Sequence, residues 1–202
     1  MRRSVVFLGS ILFLLAMGAM AQEDRHEISI QGTGLFTRQS SGNGVTNSAT
    51  TSGGGLLTYR YHLNHWLSAE AVYGYSLDSQ KYAIAGEAFR AQTGMHQATG
   101  ALVFNLPSRV TSRFNPYVIA GGGALIFQPS GNLNNTVSGV QTQAKAAFLY
   151  GAGVNYALTK RLSLRAEYRG YIYNTPDLGF TAFNTSSITH TAVPSIGLSF
   201  RF

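Results

Sequence analysis

Cysteine is absent from all 202 residues. Its absence excludes a disulfide framework and thiolate metal centres. Charge is also scarce: only 11% of the residues are Asp, Glu, Lys or Arg, against roughly 25% in an ordinary soluble domain. Long apolar runs are missing too. After residue 21 no stretch approaches the length of a membrane-spanning helix. A mature chain in a membrane would have to cross it as a closed barrel, because open strand edges cannot be satisfied in lipid. Basic residues exceed acidic ones, 15 to 8, yet no basic run is longer than Lys160-Arg161. That spread excludes a nucleic-acid footprint.

What is present begins with an export signal. Arg2 and Arg3 precede an apolar core from Val5 to Leu15, and Ala19-Met20-Ala21 has the small-x-small form of a cleavage site. Cleavage between Ala21 and Gln22 is expected. Residues 1–21 are then a signal peptide and 22–202 a single domain.

The mature part alternates with a period of two, the mark of strands whose faces meet different surroundings. The sharpest case is 162–173, LSLRAEYRGYIY: Leu162, Leu164, Ala166, Tyr168 and Ile172 on one face, Ser163, Arg165, Glu167, Arg169 and Tyr171 on the other. Similar segments fall at 26–38, 55–63, 66–77, 95–106, 116–127, 143–158 and 190–202, so eight strands are expected. Long connections (39–52, 78–94, 128–142, 174–188) follow the odd strands and short ones follow the even strands. The 78–94 connection contains AIAGEAFRA, which reads as a helical turn. The segment 22–27, QEDRHE, reads as a polar leader. In 116–127, PYVIAGGGALIF, the pattern is blurred; Tyr117, Ile119, Leu125 and Phe127 are assigned to the same face as the other aromatics.

This is an all-β, eight-stranded antiparallel up-and-down meander with its long connections at one end, and it can close. Strands of about 11 residues tilted about 40° span roughly 25–28 Å, the height of an outer-membrane barrel. The polar faces carry Arg60, Glu70, Lys145, Arg165, Glu167, Arg169 and Arg201. Facing lipid, a mid-membrane Arg or Lys would cost about 2–4 kcal/mol; facing each other, these groups can pair. The polar set therefore points inward. The outward Tyr and Phe residues suit interfacial girdles. A soluble barrel with an apolar cavity would reverse the faces, but the aromatic outer set and the terminal Phe202 speak against it.

The signal peptide, the eight strands and the final LSFRF, together with PYVIAGGGALIF, YGAGVNYALTKRLSLRAEYRGY and SIGLSFRF, resemble the OmpA-like and opacity-type outer-membrane β-barrel superfamily. The resemblance spans the mature chain and is specific for fold and location rather than activity. It implies a bacterial outer-membrane location. Surrounding lipid and lipopolysaccharide, and the barrel-assembly machinery during biogenesis, are the implied partners. Phe200 and Phe202 match the terminal aromatic that assembly factors read. A monomer without cofactor, and without a periplasmic peptidoglycan-binding domain after Phe202, is expected.

The inward charges could form an ion path, but an eight-stranded barrel is narrow enough for side chains to fill. A polar plug with a structural or surface-interaction role is the favoured reading, and a narrow pore for small solutes is the alternative. A lipid A-modifying enzyme would need a nucleophile and base near the rim. His190, beside Thr189 and Thr191, has no placed acidic partner and reads as an interfacial histidine, so no catalytic residue is assigned. His62 and His65 flank a short turn but lack a third metal ligand, so no metal site is assigned either. The Ser/Thr/Asn/Gly-rich connections read as extracellular loops that would carry any ligand specificity. The protein in an outer-membrane fraction is expected to migrate faster in detergent gels unheated than boiled; a soluble, non-modifiable protein would contradict the barrel.

Overall fold

A computed structural model describes residues 25–37, 40–42, 45–49, 52–84, 87–107, 113–129, 142–175 and 188–202. The expected signal peptide and its cleavage site lie outside these residues, as do most of the third and fourth long connections.

Ten strands are present: β1 (His26–Thr37), β2 (Ser40–Gly42), β3 (Val45–Ala49), β4 (Ser52–His62), β5 (Leu67–Ile84), β6 (Glu87–Asn105), β7 (Phe114–Pro129), β8 (Gln143–Ala157), β9 (Leu162–Asn174) and β10 (Ile188–Arg201). Eight of them, β1 and β4 to β10, pair antiparallel with their sequence neighbours, and β1 pairs with β10 to close the ring. The closure is long, from Glu27↔Arg201 to Thr37↔Thr191. At its end the first and last strands are tied by His26 N–H to Phe202 O at 3.1 Å and Phe202 N–H to His26 O at 2.8 Å. Closure satisfies the backbone donors and acceptors that an edge would expose.

The expected eight-stranded barrel is thus present, with two corrections to its connections. The stretch 78–94 is not a loop with a helical turn. It continues β5 and β6 as a hairpin, paired from Leu77↔Gly94 up to Ile84↔Glu87. The stretch 39–52 contains β2 and β3, and β3 takes over as the neighbour of β5 at Gln80–Ile84, beyond the last β4 partner at Ser76. A four-stranded sheet, β2-β3-β5-β6, therefore stands above the rim. Eight residues of strand beyond Ser76 reach roughly 25 Å along the strand. Mixed-polarity segments like these carry no one-sided alternation in the sequence to read.

The outer wall is apolar where expected: Ile28, Ile30, Leu57, Tyr59, Tyr73, Leu102, Phe148, Tyr156, Tyr168, Ile196 and Leu198 are all exposed on it. Aromatic rings mark two levels. Near the short turns His26 stacks on Phe202 at 5.7 Å, and Trp66 on Phe104 at 6.4 Å. Each outward histidine bonds a tyrosine hydroxyl: His26 to Tyr59 at 2.7 Å, His96 to Tyr73 at 2.8 Å and His190 to Tyr150 at 2.8 Å. These amphipathic rings suit a membrane interface. Tyr150 reaches His190 across Gly170 on the strand between them. A Cβ at Gly170 would lie 2.5 Å from the Tyr150 ring, so the strand can be crossed only where no side chain stands.

One strand faces opposite to expectation. Tyr117, Ile119, Leu125 and Phe127 of β7 point into the barrel and are at most 3% exposed, while Val118 is 40% exposed on the outside. Both faces of β7 are apolar or glycine, so alternation could not distinguish them. The interior accepts the larger set because much of it is itself apolar: Leu35, Leu56, Met95, Leu149, Tyr173 and Val193 pack with Phe127 there. The absence of native cysteine makes a clean test available. In liposomes, a spin label on Val118→Cys is expected to be relaxed strongly by lipid-soluble oxygen and one on Ile119→Cys weakly; the reverse would restore the original assignment.

Candidate functional site

The interior is stratified. Toward the long connections it is filled by apolar and aromatic side chains; toward the short turns it holds a cluster of charges. Parity brings the charges together. Arg60↔Glu70 is a direct cross-strand pair between β4 and β5. Arg165, Glu167 and Arg169 follow at alternate positions on β9, all inward.

Glu70 is the hub. Arg60 Nε and Nη2 donate to Glu70 Oε2 at 2.9 and 2.6 Å, and Arg169 Nη2 donates to Oε1. Arg165 Nη1 lies 3.7 Å from the same carboxylate. Glu167 takes Arg169 Nε and a hydrogen bond from Tyr117 Oη at 2.5 Å, with Arg60 Nη2 at 3.6 Å. The Arg60 guanidinium lies over the Tyr117 ring, 4.3 Å from its centroid, a cation–π contact in a desolvated setting. Tyr117 on β7 reaches Glu167 on β9 across Gly153 of β8, where a Cβ would sit 2.5 Å from the tyrosine ring and hydroxyl.

A third carboxylate, Glu27, completes the set. Its Oε1 accepts from Arg165 Nη2, and its Oε2 from Arg201 Nη2 at 3.2 Å. Arg165 is further held by Asn155 Oδ1 at 2.9 Å and Ser29 Oγ at 3.0 Å. Arg60, Arg165 and Arg169 thus meet Glu27, Glu70 and Glu167, all at most 5% exposed. Three positive charges stand against three negative ones. Burying a charge is tolerable when it is paired and hydrogen-bonded, and costly otherwise. Arg60 Nη1 and Arg169 Nη1 meet no acceptor among the described residues; internal water is the partner available to such groups.

Of the residues singled out from the sequence, Arg60, Glu70, Arg165, Glu167 and Arg169 form this cluster. Arg201 joins it at the rim, its side chain 43% exposed. Lys145 does not: it sits across from Leu125 toward the other end and, among the described residues, makes no ion pair. Glu27 and Tyr117 were missed. Glu27 fell in a segment read as leader, although continuing the inward parity of Ser29 and Gln31 by one step reaches it. Tyr117 was assigned to the wrong face.

Below the cluster, His62 links two groups. Ser68 Oγ is 2.9 Å from His62 Nδ1, and His62 Nε2 is 3.1 Å from Glu27 Oε2. Asn105 Nδ2 donates to Ser68 Oγ at 3.2 Å. The serine proton is therefore directed to Nδ1, and the Nε2 proton of His62 to Glu27. The connectivity is that of a nucleophile, base and acid, but Ser68 is completely buried. A substrate carbonyl cannot reach its oxygen, so the trio is a structural bracket. Among the described residues no group of His, Asp and Glu could hold a metal ion.

A closed antiparallel ring with an apolar, aromatic-banded outside and a cluster of paired charges inside defines the class of transmembrane β-barrels. The chain belongs to the outer membrane protein beta-barrel domain family, whose sequence profile matches residues 8–202, and that family places it in the bacterial outer membrane. No curated protein matches it. Among solved structures it is similar to the outer membrane protein OprG from Pseudomonas aeruginosa, with 16% identity, TM-score 0.63, and 90% of this chain and 97% of that one covered. It is also similar to Neisserial surface protein A, with 16% identity, TM-score 0.57, and 87% and 97% covered. The attachment invasion locus protein Ail of Yersinia pestis, solved with a heparin analogue, gives 16% identity, TM-score 0.51, and 88% and 99% covered. At these identities the likeness is one of fold.

Replacing Glu27 by Gln leaves Arg165 and Arg201 short of a carboxylate. E27Q is expected to destabilise the barrel by about 3–5 kcal/mol in urea unfolding from lipid vesicles, whereas K145Q is expected to change it by no more than about 0.5 kcal/mol. Equal effects from the two would remove Glu27 from the cluster.

Proposed function

We propose that this protein is a non-conducting outer-membrane barrel, exported through a signal peptide cleaved after Ala21, with a structural or surface-interaction role. The observation that carries the reading is the filled interior. Three arginines and three glutamates, with Tyr117, Ile119 and Phe127 behind them, occupy the cross-section of a barrel narrow enough for side chains to plug.

In the proposed orientation, the short turns and the paired His26 and Phe202 face the periplasm and the long connections face outward. The upright sheet β2-β3-β5-β6 then becomes the surface the cell presents. Phe200 and Phe202, at the closing end of β10, are proposed as the aromatic signal read by the assembly machinery. Two neighbours with the same barrel carry names of surface proteins, Neisserial surface protein A and the attachment invasion locus protein, and this supports the surface reading. Ser68, the described serine with a base beside it, is completely buried, which supports a role without catalysis.

Planar-bilayer recording of the purified, refolded protein in KCl is expected to show no discrete, reproducible current steps. Steps of constant size would instead establish the narrow pore.

A further inference from the structure

We propose that the short-turn mouth of the barrel is a binding site for a small hydrophilic ligand that carries an oxyanion, either carboxylate or phosphate, together with hydroxyl or amide donors. A cavity of about 570 Å³ lies there, between the His62–Leu67 turn, the Asn105–Pro107 segment and the end of β10. That volume falls within the ~300–1,000 Å³ of typical ligand sites.

The chemistry of its wall is one-sided. Arg25, His62, His65 and Arg201 line it, and among the described residues its lining holds no Asp or Glu. A carboxylate bonded to Arg201 lies beneath the surface: Glu27 is 3% exposed while the Arg201 side chain is 43% exposed, and the two are 3.2 Å apart. A ligand therefore meets a guanidinium already held in place, the geometry suited to a carboxylate or phosphate.

The asparagines add to the bias. Asn64 Oδ1 already accepts from the backbone N–H groups of Trp66 at 2.9 Å and Leu67 at 2.8 Å. Asn155 Oδ1 accepts from Arg165 Nε at 2.9 Å. That fills both lone pairs of Asn64 Oδ1 and one of Asn155 Oδ1, which weights these two amides toward donation through their NH₂ groups. Asn105 is turned the other way. Its Nδ2 is given to Ser68, so it offers a carbonyl, the group that reads a hydroxyl or amide proton. Donors and guanidinium favour an oxyanion, and the Asn105 carbonyl favours a hydroxyl or amide beside it. The site is independent of whether the barrel conducts; in the orientation proposed above, its ligand arrives from the periplasm.

The test is calorimetric titration of the full chain refolded in detergent. Citrate is the carboxylate probe, inorganic phosphate the second anion and glucose the neutral control. Saturable binding of one or both anions is expected, with Kd below about 1 mM, and the tighter anion identifies the source. R201Q and H65Q should each weaken it by at least about threefold, roughly 0.65 kcal/mol, and K145Q, at the opposite end, should leave it unchanged. Heat-modifiable migration verifies folding of each variant. His65 stands exposed in its turn, so H65Q keeps the test decisive if R201Q does not fold. No saturable heat from either anion up to about 10 mM, glucose binding as tight as the anions, or a loss in K145Q equal to that in H65Q would overturn the proposal.

Discussion

Closure between β1 and β10 is the constraint on which the rest of this structure depends. A sheet in lipid cannot leave backbone N–H and C=O groups unpaired, and the register from Glu27↔Arg201 to Thr37↔Thr191 removes the last edge. Closing only eight strands produces a narrow lumen that side chains must fill. Every inward position then becomes a burial problem, and every outward position a lipid contact.

The charges show how the burial problem is solved. Cross-strand register sets Arg60 opposite Glu70, and alternation on β9 sets Arg165, Glu167 and Arg169 on one side. None of these could remain inside without a partner, since an isolated buried charge is far costlier than a paired one. Glu27 brings the buried arginines and glutamates to equal numbers, and Tyr117 adds a hydroxyl and a ring face. The same packing device appears inside and outside the wall: a tyrosine crosses a glycine to reach a partner two strands away, Tyr117 over Gly153 to Glu167 and Tyr150 over Gly170 to His190. Small residues in these strands are the spaces that let longer ones lie flat.

Much of this could be read from the chain. Strands with one charged and one apolar face, such as Leu162–Asn174, disclosed their own orientation, since lipid rejects arginine on energetic grounds alone. The number of barrel strands followed from the same alternation. Where contrast between faces was missing, the reading failed. On β7 both faces were apolar or glycine, and Tyr117 and Phe127 were placed outside when they fill the core. In 78–94 the mixed polarity concealed a hairpin, and its other neighbour, β3, comes from a distant segment.

The sequence by itself determined the barrel, its inside and outside, and the presence of opposite charges in its interior, because those depend on period and solvent preference. Only the tertiary structure decided which charges meet. It drew Glu27 in from an apparent leader, left Lys145 apart at the other end, carried Arg201 to the rim and hollowed the short-turn mouth beside it. Those outcomes depend on register and stagger between strands far apart in the chain. A two-residue repeat fixes the face of each side chain but says nothing about its height in the barrel.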